Sequence, residues 1–386
     1  MTELPPLEPR DEDAPLRGVT VLEVADEFTG YAGRLLADLG ADVVLLHLSP
    51  APAPDGFDPA AWFLHRDKRE VAVDCSAPEG RDALAELVSK ADVILCPRPD
   101  TPELDPEAVR QRNPRAIQTI LTPFGIAGPA ADTPSTDLVR LAAGGLLWLG
   151  GYPDAEPVAP YGAQSTVATA IYGAVASLLA LLARETTGEG DTIEVSSQEV
   201  LTQALETSIP EFELLGTVRR RLGDLPREAG TGVFPCADGF VSMVAGRLGT
   251  AGAWKRLIEW LQEEGTPDAE ELAGDGWDTL PHRQRPESIA RFSAIFGAFA
   301  ATRTKAELYH EAQQRSIAFA PVNDLDDLLA DRQLAARGFF RDTVDPRTGT
   351  AARVPAPPFR LSPLSPGPGA GAAQLPSTIA ASPRTT

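Results

Sequence analysis

The chain has 386 residues, 43% of them apolar, enough for a large core in one big domain or two moderate ones. With 34 basic against 55 acidic residues its net charge is −21, and no Lys/Arg block stands out. A nucleic-acid role is therefore not expected, because phosphate binding needs a basic face.

Residues 1–15 are acidic and proline-rich with no apolar h-region, and read as a flexible lead rather than a signal peptide. A β-branched run at 19–24 then leads through a short polar turn into a helix with apolar positions three and four apart. Gly40 ends that helix before a second apolar run, 43–46. This is a β-α-β unit. Dinucleotide binding would need G-x-G-x-x-G after the first strand and an acidic residue closing the second. Here the turn offers only Gly30 and Gly33, and the second run ends in His47 and Leu48, so no nicotinamide or flavin site is expected.

Residues 51–58 read as a Pro/Ala/Asp loop and 70–74 as a short strand. A helix spans 78–90, with Pro78 where a missing amide hydrogen costs least, and 93–96 is a buried strand. Asp105 and Pro106 start another helix, and 116–121 supplies one more strand. Strands alternating with helices over short connections predict an α/β fold, a mainly parallel sheet with helices on both faces. The apolar stretch 171–183 is too short and alanine-rich for a membrane span and is expected to be a buried helix, part of a longer one over 165–184. From 218 to 318 the character changes. Asp238-Gly239 signals a hairpin, and amphipathic helices follow near 253–263, 287–300 and 305–313, a smaller α+β domain. Residues 367–386 lack periodicity and are expected to be a disordered tail.

Several segments resemble the family III CoA-transferases, the CaiB/BaiF group of formyl-CoA and carnitine CoA-transferases, which also includes the α-methylacyl-CoA racemases. The words are YAGRLLADLGADV at 31–43, DKREVAVD at 67–74 and PEGRDALAELVSKADV at 78–93. Further matches are the 120–147 segment, the turn at Thr187-Gly188, FAPVNDLDDLLADRQLAARGFF at 319–340 and VPAPPFRLSPLSP. The resemblance implies a Rossmann-like large domain formed by 16–217 with 319–366, a small domain at 218–318, and two subunits interlocked as a dimer. It also implies CoA or an acyl-CoA as substrate; the sequence itself holds no metal-ligand spacing, and no metal is expected.

In this family an aspartate at the start of the long central helix attacks the acyl-CoA carbonyl, giving an anhydride and then an aspartyl-CoA thioester. Counting back from Arg184 and Thr187-Gly188, its position falls on Thr166, within Gln164-Ser165-Thr166, where no carboxylate stands. Ser165 and Thr166 also suit the cap and opening of a helix. Asp137, preceded by Thr136, matches a residue common to the transferase and racemase branches, as a loop-holding acceptor or an acid. For CoA, the resemblance points to Lys68 and Arg69 in the DKRE word, and Arg98 is a possible phosphate contact. Cys75, Cys96 and Cys236, odd in number and far apart, argue against a disulfide framework or a C-x-x-C zinc site and fit a reducing cytoplasm; Cys236 is expected to be a buried structural thiol. The heavy use of Ala, Pro, Gly and Arg fits a GC-rich bacterial genome.

Three readings stay open on the sequence. The chain handles an acyl-CoA or similar conjugate by a non-standard route, or it is a scaffold reused for isomerisation, dehydration or cyclisation of another small molecule. Or it is a non-catalytic subunit paired with a related chain that keeps the aspartate. The partners expected are a small-molecule substrate and a second subunit, identical or related, with no nucleic acid and no membrane.

Overall fold

The computed structural model describes residues 14–48, 58–223, 226–246, 252–345 and 348–360. The expected lead, the 51–58 loop and the tail lie wholly or almost wholly outside the described residues. The chain divides into two compact units, Met1–Leu147 with Ala159–Val218 and Arg332–Thr386, and Trp148–Val158 with Arg219–Asp331.

The first unit holds six strands, β1 (Thr20–Val24), β2 (Asp42–His47), β3 (Arg69–Ala72), β4 (Val93–Cys96), β5 (Ile117–Thr122) and β6 (Asp191–Ser196). They form one sheet in the order β3-β2-β1-β4-β5-β6, every pair parallel. The connecting helices are α1 (Thr29–Asp38), α2 (Pro59–His65), α3 (Pro78–Lys90), α4 (Pro106–Arg112), α5 (Asp137–Ala143) and α6 (Gln164–Thr187). Alternate residues of a strand face opposite sides, and both sides are covered. Val21, Val43, Val93 and Ile117 pack with Ala32 and Leu36 of α1 and Ala170, Ala174 and Leu181 of α6. Leu22, Val44, Ile94 and Ile120 pack with Leu84 and Val88 of α3 and Val109 of α4. The continuous apolar runs that mark these strands follow from burial on two faces. A separate pair, Phe340–Val344 and Ala351–Pro355, is antiparallel.

The long helix α6 departs from the expectation of a buried helix. Its inner side is close to the sheet: a Cβ on Gly173 would stand 2.6 Å from Leu121 Cδ2, and Ser177 Oγ bonds Thr119 Oγ1 at 2.7 Å. Its outer side carries an exposed apolar stripe, Val167, Ile171, Val175, Leu179 and Leu182, the last two 62% and 69% exposed. By length and composition α6 is long and apolar enough to cross a membrane, but one face of it is packed on the sheet. Two further short helices, α7 (Ser197–Gln203) and α8 (Ser208–Leu215), follow, and α8 also exposes Phe212, Leu214 and Leu215.

The second unit contains β7 (Thr231–Cys236) and β8 (Gly239–Val244), joined at the expected Asp238-Gly239 turn, and β9 (Ala318–Pro321), all antiparallel. Its helices pack Trp260, Phe292, Phe296 and Phe299 around Phe234 and Phe319. The unit runs on to Asp331, past the boundary expected at 318: β9 completes the sheet by pairing with β8, and beyond it Asp327 is ion-paired with Lys305. The segment Trp148–Val158 joins it as well: the Arg221 guanidinium donates to the carbonyls of Trp148, Tyr152 and Ala155 and lies 4.8 Å from the Trp148 ring. Cys236 is half-buried rather than buried, its thiol 3.5 Å from Asp238 Oδ1.

Candidate functional site

The order of the sheet reverses between β1 and β4, and in open parallel sheets ligands bind outside the carboxyl ends of strands at such a point. The residues after β1 are Ala25 to Phe28. Their path is pinned by Thr29 Oγ1, which donates to Val24 O at 2.7 Å, and by Asp26 Oδ1, which accepts from Phe28 N at 2.9 Å. Burial pushes the Asp26 carboxyl above the usual carboxylate range. Glu27, between them, projects half-exposed.

Two helix starts meet this loop. Thr136 is the N-cap of α5, and Arg140 falls on its buried side with no exposed surface. The start of α6 is not capped by Ser165 or Thr166, as the sequence had suggested. Its cap position is Ala163, whose methyl group cannot accept a hydrogen bond, and Ser165 and Thr166 lie inside the first turn. Asp137, from the first turn of α5, supplies the missing acceptor: its Oδ1 takes Ser165 N at 2.8 Å and Ser165 Oγ at 2.6 Å. An orphan N–H at one helix start is thus satisfied by the carboxylate of another helix. Asp137 therefore holds two segments together. Gln164 stays outside, its Nε2 donating to Tyr161 O at 2.8 Å.

Arg140 is the centre of the site. Nε donates to Ser165 Oγ at 2.9 Å. Nη1 donates to Glu27 Oε1 at 2.9 Å and Ser135 Oγ at 3.1 Å, and Nη2 to Glu27 Oε2 and Thr166 Oγ1, both at 2.9 Å. A guanidinium has five N–H groups, and all five are used. The Phe28 ring lies 4.7 Å from the guanidinium carbon, a cation–π contact on its apolar face. A buried guanidinium costs several kcal/mol unless paired and hydrogen-bonded, roughly the condition met here. Thr166, only 8% exposed, accepts from Arg140, and its hydroxyl lies 3.3 Å from Glu27 Oε2. No imidazole is among its hydrogen-bond partners.

The cations expected to meet CoA are each engaged with a carboxylate. Lys68 is not on a solvated turn: its side chain is wholly buried, and Nζ donates to Glu23 Oε1 at 2.9 Å, Glu23 Oε2 at 2.6 Å and Gly30 O at 2.8 Å. Burial pushes the Glu23 carboxyl up to about 7 and the Lys68 ammonium down. Arg69 grips Asp42 of β2 with a two-pronged contact, Nε to Oδ1 at 2.9 Å and Nη2 to Oδ2. Arg98 is paired with Asp132 at the surface. The nucleotide contacts expected of Lys68 and Arg69 thus meet side chains already committed to carboxylates, Glu23 of β1 and Asp42 of β2. Among the described residues no group of three or more His, Cys, Asp or Glu is placed to hold a metal ion. The three cysteines are free thiols, and burial raises Cys96 to about 12.

The sequence profile of CoA-transferase family III matches residues 16–374. The chain belongs to that family. Among curated relatives, the succinyl-CoA:(R)-benzylsuccinate CoA-transferase subunit BbsE of Thauera aromatica is 33% identical over 89% of this chain and 87% of its own length. The succinate–glutarate CoA-transferase of Agrobacterium fabrum is 28% identical over 97% of both chains. The beta subunit of the succinyl-CoA–L-malate CoA-transferase of Chloroflexus aurantiacus is 30% identical over 84% of this chain and 82% of its own. A solved CAIB/BAIF family protein from Brucella suis superposes with a TM-score of 0.78 at 26% identity, covering 91% of this chain and 94% of that one. In this family III chain Glu27, Phe28, Ser135 and Arg140 are the site residues that sequence reasoning missed. One signal was available: Arg140, three residues after Asp137, shares that residue's side of a short helix whose other positions are all apolar.

Proposed function

We propose that this chain is the non-nucleophilic subunit of a two-chain CoA-transferase acting on CoA thioesters of small carboxylic acids. The observation that carries the reading is Thr166. At the position where the family resemblance puts an aspartate nucleophile stands a hydroxyl clamped between Arg140 and Glu27. An alcohol forms only an ordinary ester, and it needs a free base to attack a thioester. Glu27, the carboxylate to which its hydroxyl donates at 3.3 Å, is itself bound through both oxygens to Arg140. Named subunits among the relatives, BbsE and the malate enzyme's beta chain, support a two-chain assembly, as does the bare apolar stripe of α6. The stripe suits burial against a related chain in an interlocked dimer. The succinyl-CoA donors in those relatives' names support a short dicarboxylic acid as the acyl group. The cytoplasm is the compartment proposed.

The test is reconstitution. The purified chain is assayed for transfer from succinyl-CoA to dicarboxylic acids, alone and after co-expression with a family III chain that has aspartate at the position of Thr166. The expected result is activity only in the pair, lost when the second chain's aspartate is changed to asparagine. Transfer by this chain alone at a comparable rate would overturn the reading.

A further inference from the structure

We infer that Arg140 is a carboxylate receptor, that Glu27 is its resident occupant, and that the carboxylate of a short acid takes the place of Glu27. Three of the five N–H groups of Arg140 go to hydroxyls fixed on the walls of the site, Ser135, Ser165 and Thr166. The other two run in parallel to the two oxygens of Glu27, the fork geometry with which arginine recognises carboxylates. The receptor and its occupant differ in how they are held. Arg140 has no exposed surface and is backed by Phe28, whereas the Glu27 side chain is 51% exposed on a loop at the carboxyl end of β1. Withdrawing Glu27 to water therefore bares two aligned donors near the carboxyl end of β1 while the bonds of Arg140 to the three hydroxyls stay in place.

The chemical class follows from charge. A neutral ligand would leave a buried guanidinium without a counter-charge, a loss of several kcal/mol, roughly what breaking a buried pair costs. A second carboxylate replaces the first with charge and hydrogen bonds conserved, so the exchange is close to balanced. Glu27 then acts as an internal competitor, and apparent affinity is reduced by the fraction of time it occupies the fork. The inference goes beyond the subunit role, since it requires neither a nucleophile nor a partner chain, and its failure would leave that role standing.

The experiment is titration of the purified full chain with succinate, followed by calorimetry, in the wild type, Glu27→Ala and Glu27→Ala/Arg140→Met. Succinyl-CoA in a parallel series distinguishes a free acid from the distal carboxylate of its thioester. Removing the competitor is expected to tighten succinate binding by at least about tenfold, and removing Arg140 as well to abolish the gain. Should Glu27→Ala be poorly folded, its thermal midpoint is read against succinate and acetate, with sodium chloride at matched ionic strength. Carboxylates are expected to restore it and chloride is not. Equal succinate affinity in the wild type and Glu27→Ala, or a Glu27→Ala midpoint indifferent to carboxylates, would overturn the assignment.

Discussion

Glu27 Oε2 lies 3.3 Å from Thr166 Oγ1 across 139 residues of sequence, and both atoms accept from the same nitrogen, Arg140 Nη2. This three-atom junction joins the loop after β1 to the starts of α5 and α6. A hydroxyl so placed is a structural ligand of the guanidinium.

Thr166 is accordingly expected to stay unmodified. After incubation with succinyl-CoA and quenching with hydroxylamine or borohydride, mass spectrometry of the tryptic digest should show no adduct at that residue. Thr166→Ala should cost about 1 kcal/mol in denaturant unfolding, the worth of one ordinary hydrogen bond. A covalent acyl or CoA adduct on Thr166 would sink the argument.

Arg140→Met should be more costly, about 3 kcal/mol, because the hydroxyls of Ser135, Ser165 and Thr166 lose a shared donor and Glu27 its partner. Arg140→Lys should recover little of that loss, since an ammonium cannot serve five acceptors in a planar fork. Equal stability of the lysine variant and the wild type in guanidinium melts would contradict the geometry.

Gly33 tests the buried Glu23–Lys68 pair. A Cβ there would lie 1.6 Å from Glu23 Oε2 and 3.2 Å from Lys68 Nζ, whereas at Gly30 it would meet Leu64 Cδ1 at an ordinary 3.5 Å. Gly33→Ala should therefore destabilise the fold by about 3 kcal/mol, with Gly30→Ala near neutral. The order of the two thermal midpoints decides the point.

The same pair predicts a pH dependence. Burial raises the Glu23 carboxyl from 4.5 to about 7, so the native state retains a proton that the unfolded chain releases in that window. Its contribution to stability is full below pH 4.5 and falls as pH rises toward 7. Chemical denaturation across the window should show this slope, and Glu23→Gln/Lys68→Met should flatten it. An unchanged slope in the double variant would place its source elsewhere.

The outer stripe of α6 makes a last prediction. Leu179→Glu and Leu182→Glu alter side chains that are mostly exposed, so circular dichroism should be unchanged. Assembly mass by light scattering should drop, since a charge in a buried apolar interface is strongly unfavourable. A variant that keeps the mass of the wild-type assembly would show that the stripe is not the joining face.

Much of the architecture was legible in the chain because its signals are local. The helices 78–90 and 253–263, the strand 93–96 and the Asp238-Gly239 hairpin stand where apolar period, proline and turn residues put them. The family words also put the expected nucleophile position at Thr166 by spacing from Arg184 and Thr187-Gly188 alone. The boundary of the small unit was missed because β9 looks like any short apolar run until it pairs with β8. The fates of Lys68 and Arg69 were illegible for the same reason: Lys68 meets Glu23, 45 residues earlier on β1, and Arg69 meets Asp42, 27 residues earlier on β2, and no local pattern marks either pairing.

The sequence by itself determined the parallel α/β sheet, the family and the absence of a carboxylate at residue 166, since each is written in residue types and their spacing along one stretch. Only the tertiary structure decided what fills that place. The guanidinium of Arg140, the carboxylate of Glu27 and the hydroxyls of Ser135, Ser165 and Thr166 come from three separate segments. They meet because a buried charge must find its counter-charge and all its hydrogen-bond partners in space, without regard to their distance along the chain.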